Sequence, residues 1–565
     1  MQNLLDAQPE RSRKPKSRAD ILYGHFFRRF FDNDTLQVDG DTQTTVVRAL
    51  SIVAVPELMI TFFLQLLYSP KPFPRPPWNV IEDHYFFVLF SFVVMGAVSI
   101  FEWEMLFPDR LDFLVLTTLS LKPLQMLAAK AMALIAFLGL FLFACNFFGI
   151  WMLPAVSRGD FFRQMYAHAA AVLLAGVFAA LFFLALGGVL LCVLGAARFR
   201  MASPVMQMLS VTGLVLLMLH CVKYVDSMQA VLSGPLGMAR FVPPIWFLGL
   251  YEQLLHGDAA PAFANEMARY AVRGTVRVAV VTVVTYPMAW ARMRKMAIEG
   301  SSRSKWQGWR WLNRIVHSMV RRPGERAVFH FIGQTMARNN RYQVYLAMYC
   351  GAGLALAVTC ATAVSPSGGH FHYTLSVRGL HAVMPLLLFW VIAGLRAAFA
   401  FPLSLSAGWV FRITGVRISE CAAAARRWTF LCALGAMFII LVSLQVAGWD
   451  ARELIVQAVF GLCLCVLLTD GFFAFQRAVP FNRPRMPGRT SLPLMLTLYV
   501  GVLPPAMVGV ILMEMASERH LAKLLLAVLP TALAHMVFRS LSNGPDEVEE
   551  EMEGYEGEFQ LLGLS

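Results

Sequence analysis

Residues 167–196 read A-H-A-A-A-V-L-L-A-G-V-F-A-A-L-F-F-L-A-L-G-G-V-L-L-C-V-L-G-A, an apolar run in which His168 is the one histidine, acidic or basic residue. A membrane-spanning helix needs about 20 consecutive, mostly apolar residues. Inside lipid, such a run satisfies its own backbone polar groups when it is helical. The stretch therefore predicts a transmembrane helix.

The rest of the chain has the same character. Of its 565 residues, 58% are hydrophobic and 15% are charged, and the mean hydropathy is +0.59. Soluble domains are about 45–50% apolar and about 25% charged, so a soluble globular enzyme is excluded. We predict an all-α, polytopic integral membrane protein with about 12 transmembrane helices in two six-helix halves. The predicted spans are 46–68, 84–101, 131–153, 167–196, 204–224, 272–291, 343–364, 380–401, 428–448, 453–471, 491–513 and 521–540.

The positive charge predicts the orientation. The net charge is +13, and most of the 48 Lys and Arg residues fall in the loops that are cytoplasmic if the N-terminus is cytoplasmic. Because Lys and Arg concentrate on the cytoplasmic side, we expect a multi-pass protein of the cell (inner) membrane with both termini in the cytoplasm. The basic residues are spread over several loops with no nucleic-acid-binding module. They therefore indicate contact with acidic lipid headgroups of the bilayer and no nucleic-acid partner.

Charge and hydropathy also divide the chain. We predict a basic N-terminus over 1–45, six-span halves over 46–291 and 343–540, a basic linker over 292–342 and an acidic tail over 541–565. Amphipathic stretches at 20–31 and 328–342 are typical of helices that lie in the lipid interface.

Two short matches indicate that the halves are an internal repeat. Residues 198–201 read R-F-R-M and residues 483–486 read R-P-R-M, each before an apolar helix that contains Pro and Met. The loops after the second and eighth spans also align at a single offset, which pairs Phe113 with Trp409 and Lys130 with Arg426.

Ionisable residues within or near spans are costly in lipid and are candidates for function. They are Glu57, His168, His220, Arg396, Asp470, Glu514 and His535. Glu57 and Arg396 lie deepest in their spans, so they are our candidates for a buried polar path, with helix–helix hydrogen bonding as the alternative. The sequence has no phosphate-binding loop and no hydrolase or metalloprotease motif. We therefore predict no catalytic residue, metal or cofactor on this chain.

The most informative loop is 102–130. A carboxylate at Glu102 or Glu104 leads into it, L-V-L-T-T-L-S follows at 114–120, and the loop ends on Ala129 and Lys130. In this pattern the loop resembles that of the permease subunits of type 2 ABC exporters. The interfacial helix at the start of each half and the long segment between the fifth and sixth spans are also similar to that family. Leu119 departs from the family's usual proline.

The resemblance implies a coupling helix between the second and third spans, against which a separate ATPase subunit presses. ATP would then be hydrolysed by the partner and not by this chain, which would be a transporter subunit and not an enzyme. The residues implied in coupling are Glu102, Glu104, Asp109, Arg110 and Lys130 in the first half, and Arg412, Arg417 and Glu420 in the second.

Two other classes stay open. An ion-driven secondary transporter of the major facilitator kind would have the same span count and basic central loop, and Asp109-Arg110 resembles part of that family's loop between spans two and three. The flanking glycines of that loop are missing here. A membrane scaffold or an intramembrane enzyme is the third class. No residue identifies the cargo.

Overall fold

The structure is a computed structural model. It describes residues 17–31, 42–68, 76–103, 121–299, 320–399, 413–474, 480–481 and 501–542, with short gaps at 158, 225–227, 233–237, 321, 368–369, 415 and 502. These residues are helical apart from their connections and one two-stranded hairpin.

The described residues form two compact units. The first lies within Met1–Phe199 and Met228–Ser302, and the second within Arg200–Ser227 and Arg303–Ser565. The boundary near residue 302 falls in the predicted basic linker. The segment Arg200–Ser227, which contains the predicted fifth span, groups with the second unit although the sequence division places it in the first half.

The first unit begins with the short amphipathic helix α1. Its helices are α1 Arg18–Phe31, α2 Thr42–Tyr68, α3 Pro77–Phe101, α4 Pro123–Ala144, α5 Phe147–Val156, α6 Phe161–Tyr224, α7 Met228–Leu232, α8 Pro243–His256 and α9 Ala262–Glu299. Only the part of α6 up to Phe199 belongs to this unit. Short 3-10 turns at Met238–Phe241 and Gly257–Ala259 flank α8.

Helix α6 is interrupted at Gly195, whose φ of 74° and ψ of 161° are not helical. A positive φ is strained for residues with a side chain, and glycine adopts it at little cost. This break separates the long apolar run of 161–195 from the run of 198–221, and each is long and apolar enough to cross a bilayer.

After the segment Arg200–Ser227, the second unit continues with a short amphipathic helix, α10. From there its helices and strands are α10 Pro323–Arg338, α11 Asn340–Ala361, β1 Thr362–Ser367, β2 His370–Leu375, α12 Val377–Phe399, α13 Ile418–Val446, α14 Ala451–Phe473, α15 Leu503–Arg519 and α16 Leu525–Ser542. Strands β1 and β2 pair in antiparallel fashion, with Thr362 opposite Leu375. A 3-10 turn at Leu521–Leu524 joins α15 to α16.

The all-α, polytopic membrane fold is confirmed. Within the described residues, 11 helices are long and apolar enough to cross a bilayer, and they match eleven of the twelve predicted spans. The predicted span 491–513 falls partly outside the described residues, and α15 begins at Leu503 and continues past it to Arg519.

Helix 200–224 belongs to the second unit, where it packs closely against α11 at Gly351. The Thr212 hydroxyl donates to the carbonyl of Gly351 over 3.1 Å and to that of Met208 over 2.8 Å. A Cβ at Gly351 would meet the carbonyl oxygen of Met208 at 2.8 Å and Val211 at 3.3 Å. Glycine therefore allows the two backbones to approach closely, as is common where membrane helices pack.

Candidate functional site

In the first unit, α1 packs against α4. The predicted coupling loop was expected to end at Lys130, but α4 begins at Pro123, so the last residues of the predicted loop are helical and Lys130 lies within α4. The ring centroids of Phe30 and Phe137 lie 5.0 Å apart, and those of Phe31 and Phe137 lie 5.2 Å apart. Lys130 is buried, with Nζ 5.7 Å from the centroid of the Phe26 ring. A cation over an aromatic face is stabilised by the ring's quadrupole, so Lys130 joins the first half of α4 to the amphipathic helix.

The second unit repeats this arrangement with different side chains. Helix α10 packs on the first half of α13, where Val328, Phe329 and Ile332 meet Cys421 and Ala425 in one apolar cluster. At its edge, Arg427 Nε lies 3.1 Å from Glu325 Oε1. In each unit an amphipathic helix thus packs on the third long helix after it, which is the helix into which the predicted coupling loop leads.

Glu325 is buried in this contact, and burial raises the pKa of its carboxyl above the ordinary value of 4.5. The charges of Arg427 and Arg322 oppose this rise in pKa, while that of Glu420 adds to it. The protonation of Glu325 is therefore tied to the packing of α10.

Four of the predicted coupling residues, Glu104, Asp109, Arg110 and Arg412, lie outside the described residues. The other four are Glu102, Lys130, Arg417 and Glu420. Glu102 is buried directly after α3, where its backbone N–H donates to Val98, and Arg417 precedes α13. Glu420 lies in the first turn of α13, close enough to α10 that a Cβ at Gly324 would collide with its carboxylate.

Glu57 has a structural environment that the sequence did not reveal. Its buried carboxylate accepts hydrogen bonds from the backbone N–H groups of Phe148 at 3.2 Å and Gly149 at 2.8 Å. These are among the first N–H groups of α5, which have no partner within their own helix. Glu57 thus caps α5 at the positive end of the helix dipole.

Arg396, the other candidate for a polar path, lies in the second unit. Its Nε donates to the carbonyl of Phe472 over 3.0 Å, and its guanidinium lies 5.7 Å from the ring centroid of Phe473. The structure therefore places Glu57 and Arg396 in different units, each with hydrogen-bonding partners in its own unit.

Asp470 joins three helices of the second unit. Its Oδ2 lies 2.5 Å from Nδ1 of His535 on α16, and its Oδ1 lies 3.6 Å from the guanidinium of Arg426 on α13. Two residues that the sequence singled out, Asp470 and His535, are thus direct partners. Arg426, which aligns with Lys130, pairs with a carboxylate instead of an aromatic ring.

Each unit also contains a buried histidine–glutamate pair. In the first unit, His84 Nδ1 on α3 lies 2.8 Å from Glu252 Oε1 on α8, and the His84 ring stacks on Tyr251 with 4.0 Å between centroids. In the second unit, His381 Nδ1 on α12 lies 2.6 Å from Glu514 Oε1 on α15. All four side chains are almost fully buried.

The two pairs occupy equivalent positions. Each histidine lies in the first third of the second long helix after the amphipathic helix: His84 on α3 and His381 on α12. Each glutamate lies on the helix that is followed by a 3-10 turn and then by the last helix. A further match comes from α6 and α14, where His168 Nδ1 lies 3.3 Å from the Tyr251 hydroxyl and Gln457 Nε2 lies beside Glu514. These buried polar residues are a further similarity between the two halves, beside the short sequence matches from which the repeat was predicted.

Of these four residues, the sequence drew attention to Glu514 alone. Glu252 lies on a helix too short to be recognised as a span, and His84 and His381 lie near span starts, where a histidine is unremarkable. The available sequence signal was the spacing of four residues from each glutamate to a second ionisable residue. Residues 252–256 read E-Q-L-L-H, and residues 514–518 read E-M-A-S-E.

Comparison of the chain with protein-family models, with curated proteins and with solved structures finds no match. The fold and the site geometry are therefore the observations that bear on function.

Proposed function

We propose that this protein is the membrane permease of an ABC exporter, which forms the translocation path and is driven by ATPase subunits on separate polypeptides. The observation that carries the proposal is the repeated packing of an amphipathic helix, α1 or α10, against the third long helix of its unit. In the first unit the contact lies on the helix into which the loop resembling a coupling helix leads, and in the second unit it lies on the helix at the corresponding position of the predicted repeat.

The physical basis is mechanical. A helix that lies along the membrane surface and packs on the beginning of a spanning helix forms one rigid body with it. A push on the adjoining loop would then move the spanning helix, because packed helices shift between discrete arrangements and do not deform continuously. In the first unit, Lys130 and Phe137 hold α1 and α4 together. In the second, Glu325 and Arg427 do so.

The repeat supports a fused pair of half-permeases. From its amphipathic helix onward, each unit has the same order of long helices, a helix bearing the buried glutamate, a 3-10 turn and a last helix, although helix 200–224 of the first half packs in the second unit. Internal repeats are common in transporters, where the path runs between related halves. The transported substrate stays open.

One observation favours the alternative of an ion-driven secondary transporter. Buried ionisable pairs within membrane helices are typical of proton relays, and this chain has His84–Glu252 and His381–Glu514. Under that alternative, substitution of these pairs would abolish gradient-driven transport, and no ATPase would be required.

Isolation of the tagged chain from its native membranes in a mild detergent tests the proposal. We expect a polypeptide with a phosphate-binding loop to be recovered in stoichiometric amount and to hydrolyse ATP. Recovery of the intact chain without an ATPase, even after chemical crosslinking in the membrane, would contradict the proposal and favour the ion-driven alternative.

A further inference from the structure

The pair His381–Glu514 belongs to a larger cluster that its counterpart in the first unit lacks. Glu518, one helical turn after Glu514, points an oxygen to within 3.6 Å of His381 Nδ1. One donor atom from each of His381, Glu514 and Glu518 lies within 4.8 Å of the others. We propose that this cluster binds one divalent first-row transition metal ion, such as Zn²⁺.

The donor set fits such an ion. Zinc is bound by imidazole nitrogen and carboxylate oxygen at about 2.0–2.2 Å, and sites with three protein ligands keep one position open for water. Three donors around one such ion lie about 3–4 Å from each other by that geometry. The separations of 2.6 Å and 3.6 Å from His381 Nδ1 to the two glutamates need a shift of under about 1 Å to reach this arrangement.

A second observation also points to a ligand. Gln457 is fully buried and directs its amide at the cluster, with Nε2 3.5 Å from His381 Nδ1 and beside Glu514 Oε1. Its Oε1 has no hydrogen-bond partner among the described residues, and neither has the buried Oε1 of Glu518. Buried oxygen atoms normally have a partner. A half-turn of the Gln457 amide would present its oxygen to a bound cation.

Charge favours a cation as well. Glu514 and Glu518 repel each other, and Glu453 on α14 adds to the negative potential, while Arg452 offsets part of it. Because charges in a site of low dielectric interact strongly, two adjacent carboxylates beside one imidazole favour the binding of a cation. The Glu518 side chain is 22% exposed, which gives an ion a route to the cluster.

The first unit supplies an internal control. The position of Glu518 is taken there by His256, whose Nε2 lies 3.6 Å from Glu252 Oε2, while His84 contacts Oε1 of the same carboxylate. The two imidazoles lie on opposite oxygens of this carboxylate, and among the described residues only His381, Glu514 and Glu518 bring three donor atoms within 4.8 Å of one another. We therefore assign the metal site to the second unit alone.

The test uses the purified full-length chain in detergent, without a histidine tag and after treatment with a chelator. We expect titration with Zn²⁺ to give one tight site per chain, and titration with Co²⁺ to give visible absorption bands of a coordinated ion. Glu518→Gln keeps the size of the side chain at a partly exposed position and should weaken Zn²⁺ binding at least tenfold. His381→Ala should abolish the site.

The matched variants His256→Ala and Glu252→Gln should bind Zn²⁺ as the wild type does. Wild-type protein that binds no stoichiometric Zn²⁺ would overturn the proposal. Equal binding by Glu518→Gln and the wild type, or equal loss in His256→Ala, would also overturn it. If His381→Ala does not fold, the comparison of Glu518→Gln with His256→Ala still decides the question. The inference does not depend on the energy source for transport.

Discussion

His84 and Glu252 are joined by a contact of 2.8 Å between Nδ1 and Oε1, although they lie 168 residues apart and their side chains are almost fully buried. The contact ties α3 to the short helix α8. A buried pair of this kind is costly to break, since removal of one member leaves the other without compensation.

We therefore expect His84→Leu and Glu252→Leu each to lower the free energy of unfolding by roughly 3–5 kcal/mol. The double variant should be markedly more stable than the sum of the single losses implies, because neither buried member of the pair is left without the other. Unfolding of the purified protein in detergent measures all four members of this cycle. Strictly additive losses would show that the two side chains do not interact.

Substitution of Glu57 separates a structural role from a role in transport. Loss of the cap in Glu57→Ala leaves the N–H groups of Phe148 and Gly149 without their acceptor, which should cost about 1–3 kcal/mol. Glu57→Gln keeps one acceptor oxygen and should lose less. The thermal midpoints of both variants check this order. A stable Glu57→Gln protein without transport activity would instead support the polar path predicted from the sequence.

Glu325 should make stability depend on pH in a defined direction. Because the pKa of this carboxyl is raised in the folded state, its contribution is fully present below the ordinary value of 4.5. That contribution is lost as the pH rises through the higher folded value. Glu325→Gln stays neutral, so its thermal midpoint relative to the wild type should increase from pH 4 to pH 8. Arg427→Gln, made in otherwise wild-type protein, removes a positive charge that opposes the rise in the pKa of Glu325. It should therefore steepen the loss of stability as the pH rises.

A difference in midpoint between Glu325→Gln and the wild type that is constant over this pH range would contradict the assignment. Because Arg427 is about half exposed, loss of its ion pair should contribute little by itself. The pH dependence therefore reports mainly on the burial of Glu325.

The predicted orientation can be tested with single cysteines in a chain from which the nine native cysteines have been removed. Ala447 lies between α13 and α14 and is exposed, and Ser17 precedes α1. If Lys and Arg mark the cytoplasmic side, a membrane-impermeant maleimide should label Ala447→Cys in intact cells. It should label Ser17→Cys only after permeabilisation. The reverse pattern would invert the topology.

Much of the fold could be predicted because hydropathy alone decides it. Long apolar runs such as 161–195 have no stable alternative to a helix in lipid, and α1 is evident from Phe and Arg residues at helical spacing. The predicted spans 167–196 and 204–224 already separated the two runs of α6, but the sequence did not single out Gly195 as the residue that breaks the helix, because a glycine within a helical run is often tolerated. It also could not show that helix 200–224 packs in the second unit, which depends on a contact between Thr212 and Gly351.

The candidate sites were less predictable for a related reason. Ionisable residues in spans were recognisable one at a time, so Asp470 and His535 were singled out, but their pairing is a tertiary contact. Glu57 was recognised as buried, yet its role as a helix cap depends on where α5 begins. His84, His381 and Glu252 gave no signal individually, and they become conspicuous when the two units are compared.

The most direct test of ATP-driven function compares charge reversals in the two predicted coupling loops with reversals elsewhere. One variant carries Asp109→Lys, Arg110→Glu and Arg412→Glu. The control carries Asp258→Lys, Arg240→Glu and Arg269→Glu at exposed positions between the predicted fifth and sixth spans, on the predicted outer side. Quantitative mass spectrometry measures the ATPase polypeptide recovered with each tagged chain. We predict recovery near the wild-type level for the control and a loss of at least tenfold for the loop variant, whereas equal recovery from all three chains, or from none, would contradict the proposal.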